Sequence, residues 1–518
     1  MSSSPLPPLI KALLDPARYP HPAANVELIE THASWLLLAG DFAYKIKKPV
    51  VLPFLDYGTL ERRRACCEAE LRLNRRFAPQ LYLAVLPIVG EPADPRIGGA
   101  GEAIEYAVRM RRFAEDGRLD RLCARGQLER QRVTDLAETL AAFHASAATA
   151  PPDTPFGEPE QVLAPALANF DELRELLPGN AAGARLARLR DWTQAGFARL
   201  QAHFAARKAD GRIRECHGDL HLGNLVVIDD RVTLFDCIEF SEELRCIDVA
   251  SELAFTYVDL LDHGQPGLAC WLLNEWLTCN GDYDAAQVLR FYAVYRALVR
   301  AKVAAIRSRQ DGGDDGQTAG YLELAERLME PPPLRLTITH GVAGCGKTSA
   351  SRDLLLADGA AATLRLRSDV ERKRLFGLAA SASSGSPVDG GIYSSDASER
   401  TYERLRELAS GLLAAGWSVI VDAAFLERRR RDSFHRLANE AGAAFFIVAP
   451  SATPGQLATR IRGRLAKGQE ASEAASEADL SVLARQLGRI EALGDDECAH
   501  LLPGRRPRPS RPHGRRRG

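Results

Sequence analysis

The clearest alternation in the chain runs from Ser34 to Val51, SWLLLAGDFAYKIKKPVV. Apolar residues flank Ala39-Gly40-Asp41, and Phe42, Tyr44 and Ile46 then alternate with Ala43, Lys45 and Lys47. Period-two patterning on both sides of a Gly-Asp turn predicts a β-hairpin. Leu60 to Phe77 switches to helical spacing, Ile104 to Phe113 returns to strand, and Val133 to Ala147 sets Val133, Leu136, Leu140 and Phe143 on one helical face. Residues 148–160 read as a loop, and Ile213 to Asp236 as strand, loop, strand, turn and strand. Helices are expected over about 248–330, interrupted at 310–320. Pro331-Pro332-Pro333 cannot continue a helix and predicts a stiff connector. Beyond it, strands at 334–340, 363–368, 417–422 and 444–449 alternate with helices, the pattern of a parallel α/β sheet. The chain therefore divides into 1–330, 331–503 and a tail, 504–518. The tail carries seven arginines and no acid and is expected to be disordered.

At 518 residues the chain is too long for one core, and its 46% apolar and 26% charged residues are ordinary for globular protein. A net charge of −1 gives no general reason for a nucleic-acid or anionic-membrane partner, and the basic tail reads as a solvated end. No apolar run approaches the ~18 residues that cross a bilayer. Ten cysteines form neither a CxxC pair nor a Cys/His cluster, so a reduced, cytoplasmic chain without zinc is expected. Only nine of the 67 basic residues are lysines, which draws the eye to Lys45, Lys47, Lys48 and Lys347 as places where a compact ammonium is wanted.

Gly341-Val342-Ala343-Gly344-Cys345-Gly346-Lys347-Thr348 follows the strand LRLTITH and opens a helix, the full Walker A pattern in its confirming context. Glycines let successive N–H groups turn toward phosphate oxygens, and a helix N-terminus adds partial positive charge. Lys347 is expected on the β- and γ-phosphates and Thr348 on Mg²⁺. Asp422, ending the apolar strand SVIVD, suits a Walker B carboxylate, with a strand-end turn Asp as the alternative. Asp369, in LRLRSD, is placed either to orient or deprotonate an acceptor hydroxyl or to cap the helix starting near Val370. Arg460 and Arg464 share a helix face and form either a lid over phosphate or a solvated basic surface.

Residues 217–224 read His-Gly-Asp219-Leu-His221-Leu-Gly-Asn224, and Asp236 ends the apolar strand VTLF twelve residues later. A base, an amide five residues on, and a carboxylate after the next strand suit phosphoryl transfer: Asp219 accepts the acceptor hydroxyl's proton while Asn224 and Asp236 hold Mg²⁺.

The segment from about 25 to 325 resembles the aminoglycoside phosphotransferase and choline kinase group, a branch of the protein-kinase-like fold. By that resemblance Lys45 is the phosphate-binding strand lysine, Glu70 its helix partner, Asp248 the acid that braces the catalytic loop and His144 a packing histidine. Two departures stand out. No GxGxxG loop precedes Lys45, so the nucleotide lid is rebuilt or weak. Asp236 sits in FDCIEF, where Glu239 either supplements the metal site or pairs at the surface. Lys47 lies on the same side of its strand as Lys45 and competes for the role, with Lys45 preferred. Residues 334 to 500 resemble P-loop kinases such as gluconate kinase and the zeta-toxin and polynucleotide-kinase relatives, through the Walker A loop, Asp369, Asp422, Arg431 and the arginine lid. The order of the two domains resembles a bacterial group of predicted kinases. The resemblance implies ATP, Mg²⁺ and small-molecule acceptors. It leaves three readings open: two active heads, a kinase gated by a ligand-sensing first domain, or a kinase of nucleic-acid ends. Oligomeric state is not legible.

Overall fold

The computed structural model describes residues 5–52, 55–177, 179–311, 316–380, 382, 391–466 and 479–502, without the side chains of 52, 180, 181, 311 and 464–466. The 504–518 tail lies outside the described residues. The chain forms two compact units, Met1–Trp276 with Asp284–Glu330, and Leu277–Tyr283 with Pro331–Gly518.

The first unit begins with six antiparallel strands: β1 (Val26–Glu30), β2 (Ser34–Ala39), β3 (Phe42–Lys47), β4 (Tyr82–Glu91), β5 (Asp94–Ile97) and β6 (Ala103–Arg111). Their order across the sheet is β1-β2-β3-β6-β4-β5. The expected hairpin is β2–β3, closing on the Ala39↔Phe42 pair across Gly40-Asp41. Strands β1, β4 and β5 were not expected. β4 contains Pro87 and β5 contains Pro95, which argue against a central strand because proline cannot donate to the ladder. The sheet accepts them at irregular places: β4 shifts register between Tyr82 and Ala84 and again between Ile88 and Val89, and β5 is an edge strand. Helix α1 (Leu60–Asn74) is capped by Thr59, whose hydroxyl accepts from Arg62 N at 3.3 Å. It packs on the sheet through Cys67 and Leu71 against Leu38, Ala43, Tyr82 and Val108. Each such aliphatic side chain, fully buried, contributes on the order of 2 kcal/mol.

The rest of this unit is helical, interrupted by two short ladders that frame the loops of interest. β7 (Ile213–Glu215) pairs with β10 (Cys246–Asp248), and β8 (Leu225–Ile228) pairs with β9 (Arg231–Leu234). Helix α2 (Val249–Asp262) follows, with every residue from Val249 to Leu260 buried.

The second unit is a four-stranded parallel sheet of β11 (Arg335–Thr339), β12 (Thr363–Arg367), β13 (Ser418–Asp422) and β14 (Ala444–Val448), in the order β12-β13-β11-β14. All four lie within one residue of the expected ends. Helices α3 (Lys347–Leu356), α4 (Ser368–Leu375) and α5 (Pro454–Ala466) carry the residues that matter below. The fold is thus a kinase-like domain of mixed α and β followed by a P-loop sheet domain. Among the described residues, no helix is long and apolar enough to cross a membrane.

Candidate functional site

Lys45 and Lys47, two apart on β3, present their amines to the same carboxylate: Glu70 of α1 accepts from Lys45 at 2.9 Å on one oxygen and from Lys47 at 2.7 Å on the other. Their remaining partners separate them. Lys45 reaches Asp236 and borders a cavity of about 570 Å³, with Leu36, Leu38, Ala43, Met110 and Phe235 among its apolar walls. Lys47 is fully buried and bonds Glu239, which also takes the Tyr57 hydroxyl. Glu239 is therefore neither on the surface nor beside the cavity; it neutralises Lys47. Burial works against both ammonium groups, but Asp236 and Glu70 hold the Lys45 pKa well above its ordinary value, and Glu239 and Glu70 do the same for Lys47. Burial would raise the Asp236 carboxyl, yet Lys45 beside it draws it below the usual range.

Asp236 adopts φ +64°, the left-handed region, at a cost of roughly 1 kcal/mol for a non-glycine residue. Side chains on three sides hold it there: the Tyr82 hydroxyl accepts from Asp236 N at 2.9 Å, Asn74 Oδ1 accepts from Cys237 N at 3.0 Å, and His217 Nε2 meets Phe235 O at 2.7 Å. Phe235 N donates to Asn224 O at 3.1 Å beyond the end of the β8–β9 ladder, so Asn224 and Asp236 flank one end of it. Asn224 Nδ2 donates to Asp219 O at 2.9 Å and to Asp219 Oδ2 at 3.3 Å. Asp219, Asn224, Asp236, Lys45 and Glu70 thus form one connected set. The turn between β1 and β2, Thr31-His32-Ala33, has no glycine. It is closed by Thr31, whose hydroxyl accepts from Ser34 N at 3.0 Å, and both residues line the cavity.

In the second unit the Walker A residues form the loop between β11 and α3. Lys347 Nζ lies back over that loop, donating to Gly341 O and Val342 O at 2.9 Å each. Gly344, at φ +79°, is tightly packed: a Cβ there would stand 3.1 Å from Leu457 O and 3.3 Å from Ile461 Cγ1 of α5. Arg460 of the same helix donates to Gly344 O and Cys345 O at 3.2 Å each; the side chain of Arg464 lies outside the described residues. Asp422, buried at the end of β13, lies 3.1 Å from Ser351 Oγ, whose one proton is shared between Asp422 Oδ2 and Thr348 O at 3.0 Å. Ser351 thus ties Asp422 to the first turn of α3. Asp369 is not the helix cap: α4 begins at Ser368 with Arg367 at the cap position, and Asp369 is a half-buried residue of its first turn. Arg431 is buried, pairing with Glu497 at 2.5 Å and donating to Phe425 O and Leu426 O at 3.1 Å.

The model of the "Phosphotransferase enzyme family" matches residues 60–269, spanning Glu70, Asp219, Asn224 and Asp236, and the model of an "AAA domain" matches 336–493, spanning the P-loop, Asp422 and Arg460. "Uncharacterized protein Rv2004c" of Mycobacterium tuberculosis is 31% identical over 486 residues, 92% of this chain and 95% of that one. "Uncharacterized protein Mb2027c" of Mycobacterium bovis matches to the same extent. The chain belongs to this family. Its two parts are a phosphotransferase domain and a P-loop kinase-like domain, and the protein is a kinase-type enzyme. Among solved structures, a choline/ethanolamine kinase family protein from Mesorhizobium loti is 15% identical with a TM-score of 0.39, covering 62% of this chain and 94% of that one. An aminoglycoside phosphotransferase from Alicyclobacillus acidocaldarius is 15% identical with a TM-score of 0.38, covering 69% and 96%.

The loop brace of this family member differs from expectation. Asp248 does not reach the 217–224 loop; it caps α2 and pairs with Arg207 at 2.7 Å. Glu252, one turn on, takes the N–H groups of His217 and Gly218 at 2.5 and 2.9 Å, and Asp259 takes Leu222 N at 2.8 Å. His144 does more than pack. Its Nδ1 accepts from Trp276 Nε1 at 3.1 Å, so its Nε2 carries the proton given to Glu252 at 2.8 Å. Burial would raise Glu252, but the His144 bond, the nearby His217 and the Gly218 N–H hold it at about 2. A carboxyl lowered from 4.5 stabilises the fold fully above pH 4.5 and loses that contribution as pH falls toward 2, at most about 3 kcal/mol. We expect Glu252→Gln to destabilise the first domain by about 3 kcal/mol at pH 7, because its NH₂ would face the His144 N–H. In urea titrations the gap from wild type should narrow between pH 4.5 and 3. A constant gap would show that Glu252 is not the titrating group.

Proposed function

We propose that both domains use ATP with Mg²⁺ and transfer the γ-phosphate to hydroxyls of small-molecule acceptors. The observation that carries this reading is the connected set Asp219–Asn224–Asp236–Lys45–Glu70, whose Lys45 and Asp236 border a cavity with an apolar wall. The cavity's volume and walls suit an adenosine, and Lys45 is charged and turned toward it. The donor types fit the metal: Asn224 Oδ1 and the Asp236 carboxylate are hard oxygens, as are Thr348 and Asp422 in the second unit. Mg²⁺ held by those groups would neutralise phosphate charge.

In the first domain, Lys45 would anchor phosphate oxygens while Glu70 fixes its amine. Asp219, with its side chain 41% exposed, would accept the acceptor's hydroxyl proton as that oxygen bonds to the γ-phosphorus and the bond to the ADP oxygen breaks. In the second, the amides of 341–348 and Lys347 would cradle the phosphates and Arg460 would close over them. Asp369 is the candidate to orient that domain's acceptor.

A screen of metabolites for ATP-dependent phosphorylation, run on wild type, Asp219→Asn and Lys347→Ala, tests the proposal. Each variant should lose a different product. Full retention of ATP consumption in both would remove it.

A further inference from the structure

The segments that leave the carboxyl ends of β12 and β13 are rich in arginine, and acids nearby answer the buried ones. Arg374 of α4 bonds Glu371, Arg430 pairs with Glu399 at 3.4 Å and Glu427 at 3.6 Å, and Arg431 pairs with Glu497 at 2.5 Å. Arg372 of α4 differs. It is 8% exposed, and no carboxylate among the described residues pairs with it. One Nη donates to Ile392 O at 3.1 Å, the guanidinium lies 5.3 Å from the centre of the Tyr393 ring, and the buried Nε meets no acceptor. A guanidinium has five N–H donors, and a single oxygen leaves most of them unused. A charge taken out of water without an opposite charge destabilises the fold that holds it. Such a cost is what a site kept for a ligand carries before the ligand arrives.

The place of Arg372 is the acceptor's side of the sheet. It follows Asp369 by three residues, so the two are neighbours on one face of α4. Asp369 stands two residues past Arg367, which pairs with Asp422 across β12 and β13. Tyr402 ties Arg372 to the same strand end. Its hydroxyl accepts from Phe425 N at 3.1 Å, three residues beyond Asp422. Burial raises the pKa of that hydroxyl, and Arg430 and Arg372 near it pull the other way. The phosphate loop leaves β11, two strands from β12 and so about 10 Å across the sheet. An anion at Arg372 is therefore carried by the acceptor rather than by the nucleotide.

We propose that Arg372 holds an oxyanion of the second domain's acceptor, a phosphate or carboxylate on the same molecule as the hydroxyl that Asp369 orients. The inference rests on that domain being a kinase and names the class of its acceptor. Either anion offers two oxygens to the planar fork of a guanidinium.

The test uses the full chain with Mg²⁺ and a saturating non-hydrolysable ATP analogue, in wild type, Arg372→Met, Arg372→Lys and Lys347→Ala. Inorganic phosphate and acetate are titrated separately, against chloride at equal ionic strength, and amide hydrogen exchange is followed across Ser368–Leu375. In wild type an oxyanion should raise protection of that helix. The tighter of the two tells a phosphate-bearing acceptor from a carboxylate-bearing one. Arg372→Met should weaken this binding by about tenfold or more, the worth of one charged hydrogen bond. Arg372→Lys should weaken it less, because an ammonium keeps the charge and loses the fork. Arg372→Met should also keep or raise the melting temperature, since it removes a buried charge without a partner. The anion's effect should persist in Lys347→Ala; if it vanishes there, the anion sat on the phosphate loop and the proposal is wrong. Analogue binding that Lys347→Ala leaves unchanged would instead refute the nucleotide reading of this domain, while the anion result still decides Arg372. Protection that is the same in Arg372→Met as in wild type, no protection by either anion, or a melting temperature of Arg372→Met lowered by more than about 5 °C overturns the proposal.

Discussion

Asp219→Asn should lower phosphoryl transfer by the first domain about 10³-fold, the range for removing a general base. The substitution is chosen because the fold has every reason to survive it. Asn224 bonds both the backbone oxygen and Oδ2 of residue 219, and an asparagine can turn its oxygen to keep the second bond. The loop is held from elsewhere, by Glu252 on the N–H groups of His217 and Gly218 and by Asp259 on Leu222 N. What is lost is the group that accepts a proton. The melting temperature should stay within about 2 °C of wild type, and KM for nucleotide should change little, because Lys45, Asn224 and Asp236 are untouched. A fall in rate below tenfold would mean that residue 219 is not the base.

Lys347→Ala should weaken nucleotide binding at the P-loop at least 100-fold and abolish measurable transfer there. The ammonium already rests on Gly341 O and Val342 O, so it is positioned above the loop before any phosphate arrives and little ordering remains to be done on binding. Its removal leaves the carbonyls of two buried residues, Gly341 and Val342, without that donor, at a cost of about 1 kcal/mol. Equal loss of binding and of fold, seen as a melting point lowered by more than about 5 °C, would make the effect structural instead.

How much of this was legible from the chain depends on how local each feature is. The Walker A loop is eight consecutive residues between a strand and a helix, and Asp219, Asn224 and Asp236 lie within eighteen positions, so spacing alone picks them out as candidates. Lys45 and Glu70 came from resemblance; pattern alone did not separate Lys45 from Lys47, since both sit on one strand face and both bond Glu70. Burial, which only the folded chain has, divides them. The misassigned brace has the same origin. Asp248 and Glu252 are four apart in one apolar segment, and which of them meets the loop follows from where α2 starts. Because Asp248 is its cap, its carboxylate is spent on Ala250 N and Arg207. A buried acid in VASELAF was the available signal for Glu252. β4 and β5 were hidden by prolines that the sheet accommodates at shifted register and at its edge. Arg372 left no trace, since nothing in SDVERKRL distinguishes a buried guanidinium without an acid from the basic residues around it.

The most direct test of two phosphate sites in one chain is calorimetric titration of the full protein with a non-hydrolysable ATP analogue and Mg²⁺. Two molecules should bind per chain in wild type and one in Lys347→Ala, the survivor retaining the affinity of the first-domain site. A single site in wild type, or two sites in Lys347→Ala, would contradict it.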